Sequence, residues 1–288
     1  MIQFGTLLPM KRLGKTELMV SPLGFGGIVV MNSRAGQAAR IVEEAVEFGI
    51  NYFDVAPAYG NAEEKLGPAL EPFRKDIFLS CKTHLRDAAG ARDALGQSLK
   101  HLRTDYFDLY QRHGLIDVEK DVKAAFAVGG AMEIVLEAKR AGVIRNIGFS
   151  AHTSEASLAA MNEYDFDTVM YPVNFATHLN NNFEADVLAE AKKRDMGIIA
   201  LKAMAQRKWR DDEANKKWPK CWYEPIDDPH LAKLALSWTL GQGVSLALPP
   251  GEEALFRMAM EIYPECRELD EAGMAELREY ANNGEAIL

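Results

Sequence analysis

Short apolar runs alternate with helical segments along this chain, always strand then helix, and that order restricts the fold more than anything else in the sequence. Eight runs read as strands: Leu23–Gly27, the run ending at Asp54 within Gly49–Gly60, Ile77–Lys82, Tyr106–His113, Ile144–Ser150, Thr168–Asn174, Gly197–Lys202 and Val244–Pro249. Between them, apolar residues recur at helical spacing. Ile41, Ala45 and Phe48 mark a helix over 34–48, Leu66 and Leu70 a short one, and Leu95, Leu99 and Leu102 another. Further helices are predicted to end near Ala141–Gly142, to pass through Leu158, to cover 185–194, and to start at Asp228, an N-cap candidate just before Pro229.

Shared among eight units, 288 residues leave about 36 for each, enough for a strand, a helix and two loops. Eight such units close into a (β/α)8 TIM barrel. The competing architecture, an open doubly wound sheet, calls for a G-x-G-x-x-G turn after its first strand, and none is present. With no low-complexity segment and no linker, residues 1–288 are expected to form a single α/β domain. An N-terminal hairpin over Lys11–Val20 and C-terminal helices are expected to flank the barrel.

Lys and Arg number 33 against 42 Asp and Glu, a net charge of −9, which disfavours nucleic acid or an anionic membrane as the partner. Any anionic ligand must therefore be held by local positive groups. No apolar run approaches the roughly 20 residues of a membrane span. Cys81, Cys221 and Cys266 are odd in number and far apart, and no signal peptide is evident, so a reducing cytoplasm is the expected location. No metal site is expected, because His84, His101, His178 and His230 are scattered without a set of ligands at strand ends.

In a barrel, residues at the carboxyl ends of successive strands converge on one mouth. Asp54, Lys82 and His113 end the second, third and fourth runs, and Tyr59 lies in the loop just after Asp54. Each has an ordinary structural reading by itself; at the ends of consecutive strands the four form one constellation of carboxylate, ammonium, imidazole and phenol. A free phenol loses its proton only near pH ~10. A cationic Lys82 at the mouth favours the phenolate of Tyr59, Asp54 keeps that lysine charged and oriented, and His113 can bond a substrate oxygen.

These residues stand in the segments GINYFDVAPAYG, LSCKTH and DLYQRH, and with them the chain resembles the aldo-keto reductases, TIM-barrel oxidoreductases that use a nicotinamide cofactor without a Rossmann domain. The early LGFGG, the IGFS ending at Ser150 and the late PPG carry the resemblance further. It implies a catalytic tetrad of Asp54, Tyr59, Lys82 and His113, with hydride passing between NADP(H) or NAD(H) and an aldehyde, ketone or sugar-type carbonyl, and alcohol oxidation in reverse. Tyr59 would protonate the oxygen.

The resemblance also implies cofactor contacts at Gly27, Asp54, Ser150, His152, Leu201, Lys202, Gly251, Glu252 and Arg257. Ser150 matches the serine that holds the nicotinamide carboxamide, but the Asn that usually follows is Ala151, with His152 one residue on. Met170 stands in place of a Gln, and Leu201 replaces a tyrosine, so it can cover the ring only by apolar contact. Lys202 can meet the pyrophosphate. The helix after the last strand carries the adenosine end, where free N–H groups suit phosphate. Gly251 stands where NADP-preferring relatives often have a basic residue, and Glu252 and Glu253 would repel a ribose phosphate, whereas Arg257 matches an arginine that stacks on adenine or pairs with that phosphate.

The polar loop from Ala205 to Asp227 is expected to overhang the mouth, with Trp222 and Tyr223 as substrate walls. Some relatives end in a cysteine-rich iron–sulfur segment; Glu285–Leu288 shows no such cysteines, so no cluster is expected. A second reading is a regulatory subunit resembling the potassium-channel β-subunits, which keep this fold, tetrad and cofactor but turn over little; the Lys/Arg-bearing N-terminal extension of many of these is not seen.

Overall fold

The structure, a computed structural model, describes residues 8–210 and 217–282, so Glu285–Leu288 lie outside the described residues. It opens with the expected hairpin, Lys11–Arg12 antiparallel to Met19–Val20. The repeating part then runs β1 (Phe25–Gly26), α1 (Ala35–Phe48), β2 (Tyr52–Asp54), α2 (Ala62–Leu70), β3 (Phe78–Thr83), α3 (Ala88–His101), β4 (Phe107–Leu115), α4 (Ala131–Arg140), β5 (Ile144–Ala151), α5 (Ser154–Glu163) and β6 (Thr168–Pro172). It continues with α6 (Phe175–Asn181), α7 (Ala185–Lys193), β7 (Gly197–Leu201), α8 (Pro229–Gly241), β8 (Leu246–Ala247), α9 (Glu253–Ile262) and α10 (Glu271–Asn282).

The eight strands pair in parallel, each beside its neighbour in sequence. The first and last also meet: Ala247 N donates to Pro22 O at 2.9 Å, Gly24 N donates to Ala247 O at 3.0 Å, and Leu23 bridges to Ala247. Those bonds close the barrel. Because both faces of a parallel strand are covered, the strands read as apolar runs rather than alternations. Leu109, Met170, Ile199 and Leu246 fill the interior, and the apolar stripes of the helices pack outside.

The hairpin plugs the amino-terminal end of the barrel. Leu13 and Val20 are buried in the interior cluster, and a Cβ on Gly197, the first residue of β7, would stand 2.7 Å from the Leu13 side chain. Asn51 locks the plug, its side chain accepting from Ser21 N and donating to Met19 O. The carboxyl ends of the strands are thereby left as the open mouth.

Local chemistry sets the helix ends. Gly49, at φ 107°, takes the left-handed conformation that ends α1 and turns the chain into β2. The Asp228 side chain accepts from Leu231 N ahead of Pro229, as its sequence predicts. Asn174 departs from expectation. It caps α6 by accepting from Ala176 N and Thr177 N instead of continuing β6, and α6 escapes sequence reading because Phe175–Asn181 lacks apolar periodicity. The polar loop from Ala205 to Asp227 contains a small ladder, Ala205–Arg207 against Glu224–Pro225. No helix among the described residues is long and apolar enough to cross a membrane.

Candidate active site

At the mouth, β2, β3 and β4 bring their carboxyl ends side by side, with Asp54 in register with Ser80 and Lys82 with Gln111. Lys82 therefore stands one inward-facing step above Asp54. Its ammonium forms an ion pair with Asp54 Oδ2 and lies 3.3 Å from Tyr59 Oη. The other carboxylate oxygen accepts from Gln111 Nε2 at 3.1 Å. Tyr59 is delivered by a tight turn, in which its N–H donates to Ala56 O and its carbonyl accepts from Ala62 N at the start of α2. The His113 ring meets Tyr59 edge-on, with centroids 5.7 Å apart.

Lys82 is 0% exposed and Asp54 1%, so the lysine belongs to the barrel core and not to the water-facing mouth, a correction to the sequence reading. Burial works against the ammonium, but Asp54 and Tyr59 more than offset it and the lysine pKa is raised. Burial likewise raises Asp54 against the opposing pull of Lys82. For Tyr59, burial is again the largest influence and pushes the phenol up, while Lys82 pulls it down by less. The sequence anticipates the direction of the lysine's effect on Tyr59 but not its defeat by desolvation. His113 is driven to about 2, first by burial and then by Lys82, and so stays neutral, with a buried Nδ1 that has no partner among the described residues. A neutral imidazole offers one N–H and one lone pair.

Above these groups lies a cavity of about 260 Å³. Of the residues singled out from sequence, Asp54, Tyr59, His113, Ser150, His152, Leu201, Lys202, Gly251, Trp222 and Tyr223 line it. Ser150 Oγ accepts from Gly114 N at 2.8 Å. Burial, then Lys202, lowers His152 to about 4. Lys202 takes φ 63°, rare for a residue with a side chain, and burial lowers its ammonium to about 8. No ion pair or hydrogen bond of that ammonium occurs among the described residues.

Three other residues stand elsewhere. Gly27 is not in the cavity wall: a Cβ there would come within 2.8 Å of Val55, whereas one on Gly26, which does line the cavity, would meet nothing within 4 Å. Glu252 accepts from Lys220 N at 2.7 Å. Arg257 is gripped through Nε and Nη2 by both oxygens of Glu44 and through Nη1 by Glu253, outside the cavity lining.

Sequence reasoning passed over Gln111, although it lies two residues before His113 and a strand's period of two puts both on one face. It also passed over Lys220, which lines the cavity beside Cys221, a member of the loop expected over the mouth, from a stretch without periodic signal. Lys220 Nζ donates to Val29 O at 2.7 Å and so pins that loop across the mouth. Trp222, 67% exposed, reaches Tyr59 at a centroid distance of 5.9 Å.

The family model described as Aldo/keto reductase family matches residues 22–253. Among curated proteins, "Uncharacterized oxidoreductase YqkF" of Bacillus subtilis is 34% identical over 155 residues, covering 49% of this chain and 48% of that protein. L-galactose dehydrogenase of Arabidopsis thaliana is 26% identical over 216 residues, covering 69% and 66%. The matched stretches thus span from about half to two thirds of these relatives' length. The holo form of aldo-keto reductase AKR11C1 from Bacillus halodurans superposes with a TM-score of 0.73 at 23% identity over 96% of this chain and 95% of that one, a likeness of fold.

Proposed function

The chain belongs to the aldo/keto reductase family, and from that premise we propose that it reduces an aldehyde, ketone or sugar-type carbonyl with NADPH or NADH, Tyr59 acting as the general acid. The observation that carries this reading is the Tyr59 hydroxyl at the cavity, 3.3 Å from an ammonium that is itself paired with a buried carboxylate. The residues present suit the cofactor's nicotinamide end: Gly26 leaves open wall, Ser150 and His152 offer polar groups for a carboxamide, Leu201 offers apolar cover, and Lys202 has a cation free for phosphate. At the other end Arg257 is already held by two carboxylates.

The cofactor, when bound, supplies a hydride and leaves oxidised. The substrate's C=O π bond gives way to a new C–H bond, formed with the hydride and its electron pair, and an O–H bond whose proton comes from Tyr59. Neutral His113 hydrogen-bonds the substrate oxygen without competing as an acid, and Lys82 steadies the phenolate that remains until solvent returns its proton. Asp54 keeps Lys82 charged. Trp222 and Tyr223 form the substrate wall. In reverse, Tyr59 accepts the alcohol proton.

Oxidation of NADPH and NADH against a panel of aldehydes, ketones and sugars tests the reading. Tyr59→Phe is expected to bind cofactor nearly as well while losing roughly 100-fold or more in turnover. Full turnover in that variant would remove Tyr59 from the role.

A further inference from the structure

Gln111 is 0% exposed and faces the barrel interior in register with Lys82 on one side and Gly148 on the other. Both hydrogens of its amide nitrogen are spent, one on Asp54 Oδ1 at 3.1 Å and one on Ser80 Oγ at 2.8 Å. A carboxylate cannot donate, so this orientation of the amide is the only one that suits Asp54. The amide oxygen, Oε1, is buried without a partner among the described residues, and so is Thr168 Oγ1. These two atoms belong to one lateral row. Gly148 pairs with Gln111 on one side and Thr168 on the other, and Thr168 Oγ1 lies 2.1 Å from where a Cβ on Gly148 would stand. The threonine hydroxyl thus occupies the space that the missing side chain at 148 leaves free.

Resting on the reductase reading above, we propose that Gln111 is a positioning residue that holds the Asp54 carboxylate ionised and aimed at Lys82, with Ser80 fixing its amide nitrogen and Thr168, on the far side of Gly148, serving its amide oxygen through a bridging water that would satisfy both unpartnered atoms. The groups facing Asp54 are Tyr52 on its own strand, Tyr59 on the following loop, Lys82 and Ser80 on β3, and Gln111 on β4. A donor to the charged form of a carboxylate lowers its pKa, and Gln111 and Ser80 both act in that direction on Asp54, against burial. Tyr52, Tyr59 and Lys82 are all raised and His113 lies near 2, so Asp54, together with His152 at about 4 in the cavity wall, shapes the acid side of the rate profile, and only the Asp54 part answers to Gln111. Removing the amide donor lets Asp54 take up a proton at higher pH, and Lys82 then loses its partner.

The experiment is the pH dependence of kcat and kcat/KM for the full chain and for Gln111→Leu and Thr168→Val, with thermal unfolding beside it and Gln111→Met in reserve should leucine misfold. Gln111→Leu is expected to move the acid limb upward by a pH unit or more and to lower kcat with little change in KM. Thr168→Val is expected to move it the same way by less. A Gln111 variant that keeps the original profile, or loses only thermal stability, overturns the proposal, and an unmoved profile in Thr168→Val removes Thr168 from it. Absent turnover in the unaltered protein, or full turnover in Tyr59→Phe, instead overturns the reductase reading itself.

Discussion

The ammonium of Lys82 touches Tyr59 at 3.3 Å while remaining wholly shut off from water by the barrel core. Its two possible services, balancing Asp54 and easing proton release from Tyr59, can therefore be separated by Lys82→Met. Loss of one partner of a buried pair costs about 3–5 kcal/mol, and full burial leaves no water to soften that, so a large drop in unfolding temperature is expected. Lys82 also pulls the Tyr59 pKa down. Without it the phenol rises further, and the tyrosine-dependent limb of single-turnover rates should shift to higher pH in protein that stays folded and cofactor-bound. Lower stability with an unchanged rate and profile would confine Lys82 to a structural role.

Cofactor binding should take up a proton near pH 8. Burial lowers Lys202 to about 8, so above that pH a growing fraction is neutral. An incoming phosphate favours the cation and raises its pKa, which makes affinity fall as pH rises through 8, by up to about tenfold per unit. Calorimetric titration with NADPH in buffers of different ionisation enthalpy reads the proton directly. Buffer-independent heats at pH 8.5, or buffer-dependent heats unchanged by Lys202→Met, would count against the contact.

Selectivity between NADPH and NADH should be modest, below about 1,000-fold or roughly 4 kcal/mol, because Arg257 is occupied by Glu44 and Glu253. Glu44→Gln keeps the size of the side chain and removes its charge. It is expected to shift the ratio of dissociation constants toward NADPH by about tenfold, the size of one pairwise charge effect. Fluorescence titration of both nucleotides checks this, and an unaltered ratio would mean that Arg257 does not reach the ribose phosphate.

Adjacent glycines should answer differently to the same methyl group. Gly27→Ala drives a Cβ into Val55 and the Asp54 carbonyl, at 2.8 and 3.0 Å, and should destabilise the fold by roughly 1–3 kcal/mol. Gly26→Ala meets no atom and should unfold like the parent, yet weaken cofactor binding by projecting into the cavity. Denaturant melts paired with NADPH titration separate the two, and equal behaviour in both assays would contradict the assignment of Gly26 to the wall.

Residues whose position is dictated by strand register were legible in the sequence. Asp54, Lys82 and His113 end consecutive apolar runs, and a barrel leaves such ends only one place to go. Gln111 obeys the same rule but was hidden inside a recognisable motif whose other members drew the chemistry. Lys220 was not legible, since a loop crossing the mouth is fixed by distant bonds such as that from Lys220 to Val29 O. Nor was the fate of Arg257, which depends on Glu44 of α1, more than two hundred residues earlier. Burial was the least visible quantity: a lysine at a strand end looks the same in sequence whether water reaches it or not.

The tetrad comes from three neighbouring strands, β2 to β4, whereas Ser150, His152, Leu201, Lys202 and Gly251 come from β5 and beyond. On the function proposed above, one arc of the wall carries the proton chemistry and the opposite arc holds the nucleotide. Variation can therefore act on either arc while the other stays fixed, and a change of redox carrier need not pass through an inactive protein. The fold supplies two independent dials for an evolving or engineered lineage, and they meet only at the cavity.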